Sequence, residues 1–203
     1  MIMKFMNTLF KCGVCLSVSV VLFSCEKSSA KKVIYYPVDS LVYAQVMFLK
    51  EQQAVLTKKA EIDGTEESSS FTPKDSAAWA RELDIFAELG VINRPGNAKS
   101  YAVKRGEPDP NSNLSILSFT GDEETLPVVY LKAFYLETPS RLRRIEALYR
   151  EENSLLKGSR LLILEFQEIH NKIALTSYSI EGSQQMFLGK SVKFSVRGTI
   201  AIP

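Results

Sequence analysis

The chain has 203 residues, of which 45% are hydrophobic and 24% charged, and its formal net charge is +2. This is the composition of an ordinary globular protein, and the length suits one domain or two small ones. A chain of this size buries roughly 70% of the surface that its unfolded form exposes, so it needs no disulfides. A nearly neutral chain without a basic cluster argues against nucleic acid as a partner.

Residues 1–24 have the pattern of an export signal. Lys4 and Lys11 form a positive flank, and an apolar run follows over residues 12–23. That run is about 12 residues long, whereas a membrane-spanning helix needs about 20. We therefore expect residues 1–24 to be a signal peptide that takes no part in the fold.

The apolar run ends in Leu22-Phe23-Ser24-Cys25. This ending resembles the lipobox of bacterial lipoproteins, which has an aliphatic residue three positions before a cysteine and a small residue directly before it. Leu22 and Ser24 match, while Phe23 is larger than the usual residue. The resemblance implies cleavage before Cys25 and acyl chains on its sulfur that hold the mature chain on a membrane. The alternative is an ordinary secretory signal with a chance cysteine.

Removal of the signal changes both the cysteine content and the charge. Cys12 and Cys15 have the C-x-x-C spacing of metal or redox sites, but they lie within the signal. With Cys25 acylated, the mature chain has no thiol site and no disulfide. The 25 Lys and Arg, less Lys4 and Lys11, balance the 23 Asp and Glu. Membrane attachment then depends on the acyl chains, each buried CH₂ contributing about 0.8 kcal/mol.

Residues 26–32 form a short polar tether that keeps a single domain, residues 33–203, close to the bilayer. Glu26 is followed by Lys27, Ser28 and Ser29, not by a run of acidic residues. Some surface-exposed lipoproteins have an acidic run at this place. The expected location is therefore the cell envelope, on the periplasmic face of the outer membrane.

The first half of the domain contains two predicted helices and a hairpin. In chain order these are a helix over 41–52, strands over 54–62 and 65–71, and a helix over 75–89. Asp39 or Ser40 is placed to cap the first helix, Asp63-Gly64 is a strong hairpin turn, and Gly90 ends the second helix.

The two helices differ in how their apolar residues are distributed. The first is apolar around most of its circumference, which predicts burial on more than one side. The second has one apolar stripe, formed by Trp79, Leu83 and Phe86, which is typical of a surface helix with one buried face.

The second half of the domain reads as β-structure throughout. The predicted strands are 101–104, 114–120, 126–137, 141–150, 154–166, 172–181, 184–188 and 191–202. Short breaks with turn residues separate them, including His170-Asn171 and Gly182-Ser183. Links this short favour antiparallel neighbours in a meander.

The strand around residue 130 is apolar on both faces. Alternation places four residues on one face: Val128, Tyr130, Phe134 and Leu136. Val129, Leu131, Ala133 and Tyr135 fall on the other. Because two helices cover only one face, we predict that the first four residues line a cleft between sheet and helices that holds an apolar ligand. The alternative is that curling of the sheet alone closes the core.

The predicted fold class is α+β: a long, curved, half-barrel-like antiparallel sheet of roughly eight to ten strands with two helices packed on it. This layout is similar in architecture to the LolA/LolB class of envelope lipid and lipoprotein carriers, over most of residues 33–203. In that class an unclosed barrel holds acyl chains on an apolar face. The similarity concerns layout alone, so no functional residue is carried over.

Residue patterns typical of enzymes and metal sites are weak. His170 is the only histidine, and no G-x-S-x-G motif presents a serine beside it. Asp109, Asn111 and Asn113 begin like a calcium loop, but Leu114 replaces the required glycine. The acidic residues 122–124 read as a solvated loop.

We therefore expect a protein that is not an enzyme, with no catalytic residue, metal or cofactor. The predicted partners are the membrane, through the anchor on Cys25, and a hydrophobic ligand or acyl chain. The alternative function is that of a scaffolding subunit of an envelope complex, bound to an envelope protein and without a small-molecule site. A cavity favours the first function and a flat apolar patch at a sheet edge favours the second.

Overall fold

The structure is a computed structural model that describes residues 35–97, 99–122, 125–186 and 189–203. The predicted signal peptide, Cys25 and the tether lie outside these residues. The described residues all belong to one compact unit. Nine antiparallel strands make one unclosed, curved sheet with two helices packed on it, so the predicted α+β fold class is confirmed.

The helices are α1 (Val38–Glu51) and α2 (Ser76–Ala87), and two 3₁₀ turns follow α2, Glu88–Asn93 and Pro95–Asn97. The strands are β1 (Val55–Ile62), β2 (Thr65–Phe71), β3 (Tyr101–Pro108), β4 (Ser115–Gly121), β5 (Val128–Tyr135), β6 (Leu142–Glu152), β7 (Leu156–Ile169), β8 (Lys172–Met186) and β9 (Ser191–Ala201).

The strand order is β2-β1-β9-β8-β7-β6-β5-β4-β3. Strands β3 to β9 form the predicted meander, and pairing of β9 with β1 adds the first hairpin to its end. The segment with α2 and both 3₁₀ turns connects β2 to β3, which are the two edges of the sheet. One face of the sheet, here called the helix side, therefore carries the helices, and the opposite face is called the open side.

Local turn and cap chemistry explains two of the element boundaries. Asp63 and Gly64 both have positive φ, as a two-residue hairpin turn requires, and this prediction is confirmed. Asp75 caps α2 by accepting a hydrogen bond from the amide of Ala78 at 2.7 Å. The capping role predicted for Asp39 or Ser40 is wrong, because α1 begins after Pro37 without a side-chain cap. Asp39 lies beside Gly90 instead.

The predicted turn at Gly182-Ser183 is wrong, because both residues lie within the single strand β8. Gly182 is needed for close packing against β7 and β9, not for a turn. A Cβ at Gly182 would lie 2.6 Å from the carbonyl oxygen of Ser159 and 2.9 Å from the ring of Phe194. The absent side chain thus lets an aromatic ring from β9 lie on β8, and two predicted strands become one.

The core lies between the helix side and the helices. Its helical part consists of Val38, Val42, Val46, Leu49, Trp79, Leu83, Phe86, Leu89 and Ile92, all buried. The predicted stripe of α2 is confirmed by the burial of its three residues. The prediction that α1 is buried on more than one side is wrong, since Tyr43 and Met47 face solvent.

Candidate functional site

The four residues predicted to line a cleft do not share one face. Val129 is bulged out of the ladder with β6, so Val128 pairs with Tyr149 and lies in the core on the helix side. Tyr130 and Phe134 lie on the open side, and Leu136 lies past the end of β5. The prediction of a shared face is therefore wrong, because strict alternation does not survive a bulge.

Long polar side chains cover the aromatic residues on the open side. The hydroxyl of Tyr130 donates to Glu146 at 3.0 Å, and the Lys132 ammonium lies 5.0 Å from the Tyr130 ring. The Arg144 guanidinium lies 5.4 Å from the ring of Phe134. Burial and the Glu146 carboxylate raise the pKa of Tyr130 to about 12. The apolar stems of these long side chains cover the rings, and their charged ends face water. The open side therefore needs no second layer of helices or strands on it.

A different apolar surface lies at one end of the sheet, which we call the hairpin end. The turns that join β1 to β2, β6 to β7 and β8 to β9 all lie at this end. A groove of about 320 Å³ opens there. Its apolar wall consists of Ile62, Met186, Val192 and Phe194, and Gln184, Gly189 and Lys190 complete the lining.

Strand register explains why these apolar residues meet. Phe194 pairs with Ile62 of β1 on one side and with Gly182 of β8 on the other. Val192 and Met186 continue the same face beyond that row. Met186 is 62% exposed and Ile62 56% exposed. The apolar pattern of the helix side thus extends past the residues that the helices cover.

Hydrogen bonds fix the wall of the groove beside Ile62. The amide of Asp63 donates to the carbonyl oxygen of Lys193 at 3.1 Å, and the amide of Lys193 donates to the Asp63 carboxylate at 3.1 Å. These two bonds tie the β1–β2 turn to β9. The groove is therefore shaped by the backbone before any ligand is present.

A second cavity, of about 340 Å³, adjoins the groove and shares Met186 with it. Its apolar lining comes from Leu155 and Leu156 at the β6–β7 turn. The side-chain oxygen of Asn153 accepts from the amides of both leucines at 2.9 Å. This Asx-type turn holds Leu155 out from the sheet, where it is 69% exposed.

A polar cavity of about 610 Å³ lies between the first 3₁₀ turn and β6. Arg160 pairs there with Glu151 at 3.2 Å and with Glu88 at 3.9 Å. Burial and the two carboxylates raise the pKa of Tyr149. These ion pairs connect the 3₁₀ turn to the sheet, which is a structural role.

The residues weighed for catalysis and metal binding remain apart. His170 is exposed in the β7–β8 turn. Asp109 accepts hydrogen bonds from the amide of Asn111 at 3.3 Å and the hydroxyl of Ser112 at 2.6 Å, as an Asx turn does. Within the described ranges, no group of three or more His, Cys, Asp or Glu side chains is arranged to hold a metal ion. Residues 123 and 124 lie outside those ranges.

The groove was not found by sequence reasoning. Val192 and Phe194 lie on one strand, but Ile62 and Met186 come from other strands, and only the register brings them together. The signal for the groove in the sequence is Ile62, an exposed apolar residue directly before the Asp63-Gly64 turn.

Of the helices described, none has the length and apolar character needed to cross a membrane. Comparisons with protein-family models, curated proteins and solved structures found no match.

Proposed function

We propose that this chain is a lipid-anchored protein of the cell envelope, without catalytic activity, that holds an apolar ligand such as an acyl chain in the groove at its hairpin end. Acyl chains on Cys25 attach it to the membrane, on the periplasmic face of the outer membrane. The observation that carries the ligand proposal is the groove itself, an open cavity walled by Ile62, Met186, Val192 and Phe194.

The energetics favour an apolar occupant. Each Å² of apolar surface removed from water contributes about 25 cal/mol, and the groove leaves Ile62 and Met186 more than half exposed. Its volume of about 320 Å³ lies at the lower end of the range for small-molecule sites, which suits part of a single chain. Lys190 in the lining provides a cation for the acidic head of a fatty acid.

The layout predicted from the sequence resembles the LolA/LolB class, and that expectation points to the same kind of ligand, although no solved structure matched the chain. Carriers of that class hold acyl chains on the apolar face of an unclosed sheet. In this chain, however, the helix side is filled by Trp79, Phe86 and their neighbours. The proposed ligand therefore occupies the uncovered end of the sheet and not a cleft beneath the helices.

The alternative, a scaffolding subunit, requires a free edge or a flat patch. Both edge strands are unsuited to strand addition. Strand β2 presents Glu66 and Glu67, and β3 has a bulge near Gly106 and ends in Pro108. The exposed apolar residues of the hairpin end are the feature that favours a protein partner, so binding experiments must separate the two functions.

The test is titration of the Cys25→Ala chain with a fluorescent fatty acid, so that its own lipid cannot occupy the groove. We expect saturable binding that Val192→Asp abolishes, because a buried carboxylate opposes an acyl chain. The matched control is Val55→Asp. Val55 is 36% exposed and Val192 37% exposed, but Val55 lies at the opposite end of the sheet. Equal binding by both variants, or no saturable binding, would favour the scaffolding function.

A further inference from the structure

Three turns at the hairpin end carry large apolar residues that project into solvent. Leu155 is 69% exposed, Met186 62% and Ile62 56%. They belong to the β6–β7, β8–β9 and β1–β2 connections, which are neighbours in the sheet. Isolated exposed apolar residues are ordinary, but a group of them at one end of a sheet marks an interaction surface.

The chain reaches the domain at the same end. The side-chain oxygen of Asn93 accepts from the amide of Tyr35 at 2.8 Å, and its amide donates to the carbonyl oxygen of Tyr36 at 2.7 Å. The Tyr35 ring packs edge-on against Tyr101 at 5.4 Å and Phe119 at 6.0 Å. Tyr101 is the first residue of β3, which begins at the hairpin end. Asn93 therefore fixes the position of Tyr35 and Tyr36, the first residues that the structure describes.

The tether is long enough to place a bilayer against the turns. Ten residues lead from Cys25 to Tyr35 and span at most about 36 Å when extended. From β3 to β1, which carries Ile62, there are seven strand spacings of about 4.8 Å, or roughly 34 Å. The opposite end of the sheet is farther away by the length of β7, whose 14 residues span about 46 Å.

We propose that the hairpin end docks on the lipid bilayer that holds the anchor, with Leu155, Met186 and Ile62 in the interfacial region. This inference rests on the acylation of Cys25 proposed above. Lys190 and Lys193 flank these residues, and neither has an ion-pair partner within the described part of the chain, so both are available to lipid phosphates. Docking also places the open groove at the membrane, where an acyl chain enters it without crossing water.

The test measures tryptophan quenching by brominated acyl chains. The lipidated mature Leu155→Trp variant is reconstituted in vesicles of brominated phosphatidylethanolamine and phosphatidylglycerol. The matched control is Phe71→Trp, since Phe71 is exposed at the opposite end of the sheet. Trp79 is fully buried in the core and contributes the same background to both variants. We expect loss of the added emission for Leu155→Trp and none for Phe71→Trp.

Equal quenching of the two variants, or quenching of neither, would overturn the docking proposal. The mass of the vesicle-bound protein reports the acyl chains on the same sample. An unquenched Leu155→Trp in fully acylated protein rejects docking and leaves the anchor intact. Quenching together with a failed fatty-acid titration retains docking and rejects the ligand proposed for the groove.

Discussion

At the scale of single residues, two buried side-chain amides form hydrogen bonds with backbone groups that no neighbouring strand or helix pairs. The Gln45 side chain donates to the carbonyl oxygen of Ile173 at 3.0 Å and accepts from the amide of Leu175 at 2.8 Å. Strand β8 pairs with β9 only from Ser177 onward, so Gln45 of α1 occupies the position of a missing strand. Asn93 does the same for the backbone of residues 35 and 36. Neither role is visible in the sequence, because each partner is more than 50 residues away.

Replacing Gln45 by leucine keeps the size of the side chain and removes both hydrogen bonds. Because this leaves a buried amide and a carbonyl unpaired, we expect the free energy of unfolding to fall by about 2–4 kcal/mol. Urea denaturation measures it. The control, Gln167→Leu, changes an exposed glutamine on β7 and should alter stability little. Similar midpoints for the two variants would show that the contacts of Gln45 contribute nothing.

At the scale of elements, two glycines let aromatic rings lie on neighbouring strands. Phe194 covers Gly182, and Tyr178 covers Gly198. The sequence was sufficient to predict α2 from its apolar stripe and the β1–β2 hairpin from the Asp63-Gly64 turn, but the predicted end of α2 at Gly90 is wrong, because α2 ends at Ala87 and Gly90 lies within the first 3₁₀ turn. The sequence was not sufficient to distinguish a glycine in a turn from a glycine within a strand that leaves room for an aromatic ring. The turn predicted at Gly182 and the sheet face predicted for Val128 are both wrong for this reason. The packing at Gly182 depends on β9, and the face of Val128 depends on its pairing with β6.

The close approach at Gly198 gives a prediction. A Cβ there would overlap the Tyr178 ring, which packs against Phe86 of α2 at 5.6 Å. Moving that ring disturbs the contact between sheet and helix, so Gly198→Ala should lower the free energy of unfolding by about 3 kcal/mol. Gly96→Ala is the control, because a Cβ at Gly96 meets no atom within 4 Å. Thermal unfolding distinguishes them, and equal midpoints would contradict the packing described.

At the scale of the whole molecule, the sheet has one end that differs from the rest. The helix side is covered by α1 and α2. The open side faces water through long polar side chains such as Arg144 and Lys132. The α+β class was predictable from the succession of short strands and two amphipathic helices. The groove was not, because its wall combines residues from three strands whose order in the sheet is not their order in the chain.

The proposed location and the docking proposal both depend on a membrane anchor at Cys25, so the mass of the mature protein tests the account most directly. Purified from its native membrane, the chain should begin at Cys25 and carry the added mass of a diacylglyceryl group and its fatty acids. The Cys25→Ala variant should lose both this mass and its place in the membrane fraction. A mature chain that begins elsewhere, or an unmodified Cys25 in membrane-bound protein, would contradict the account.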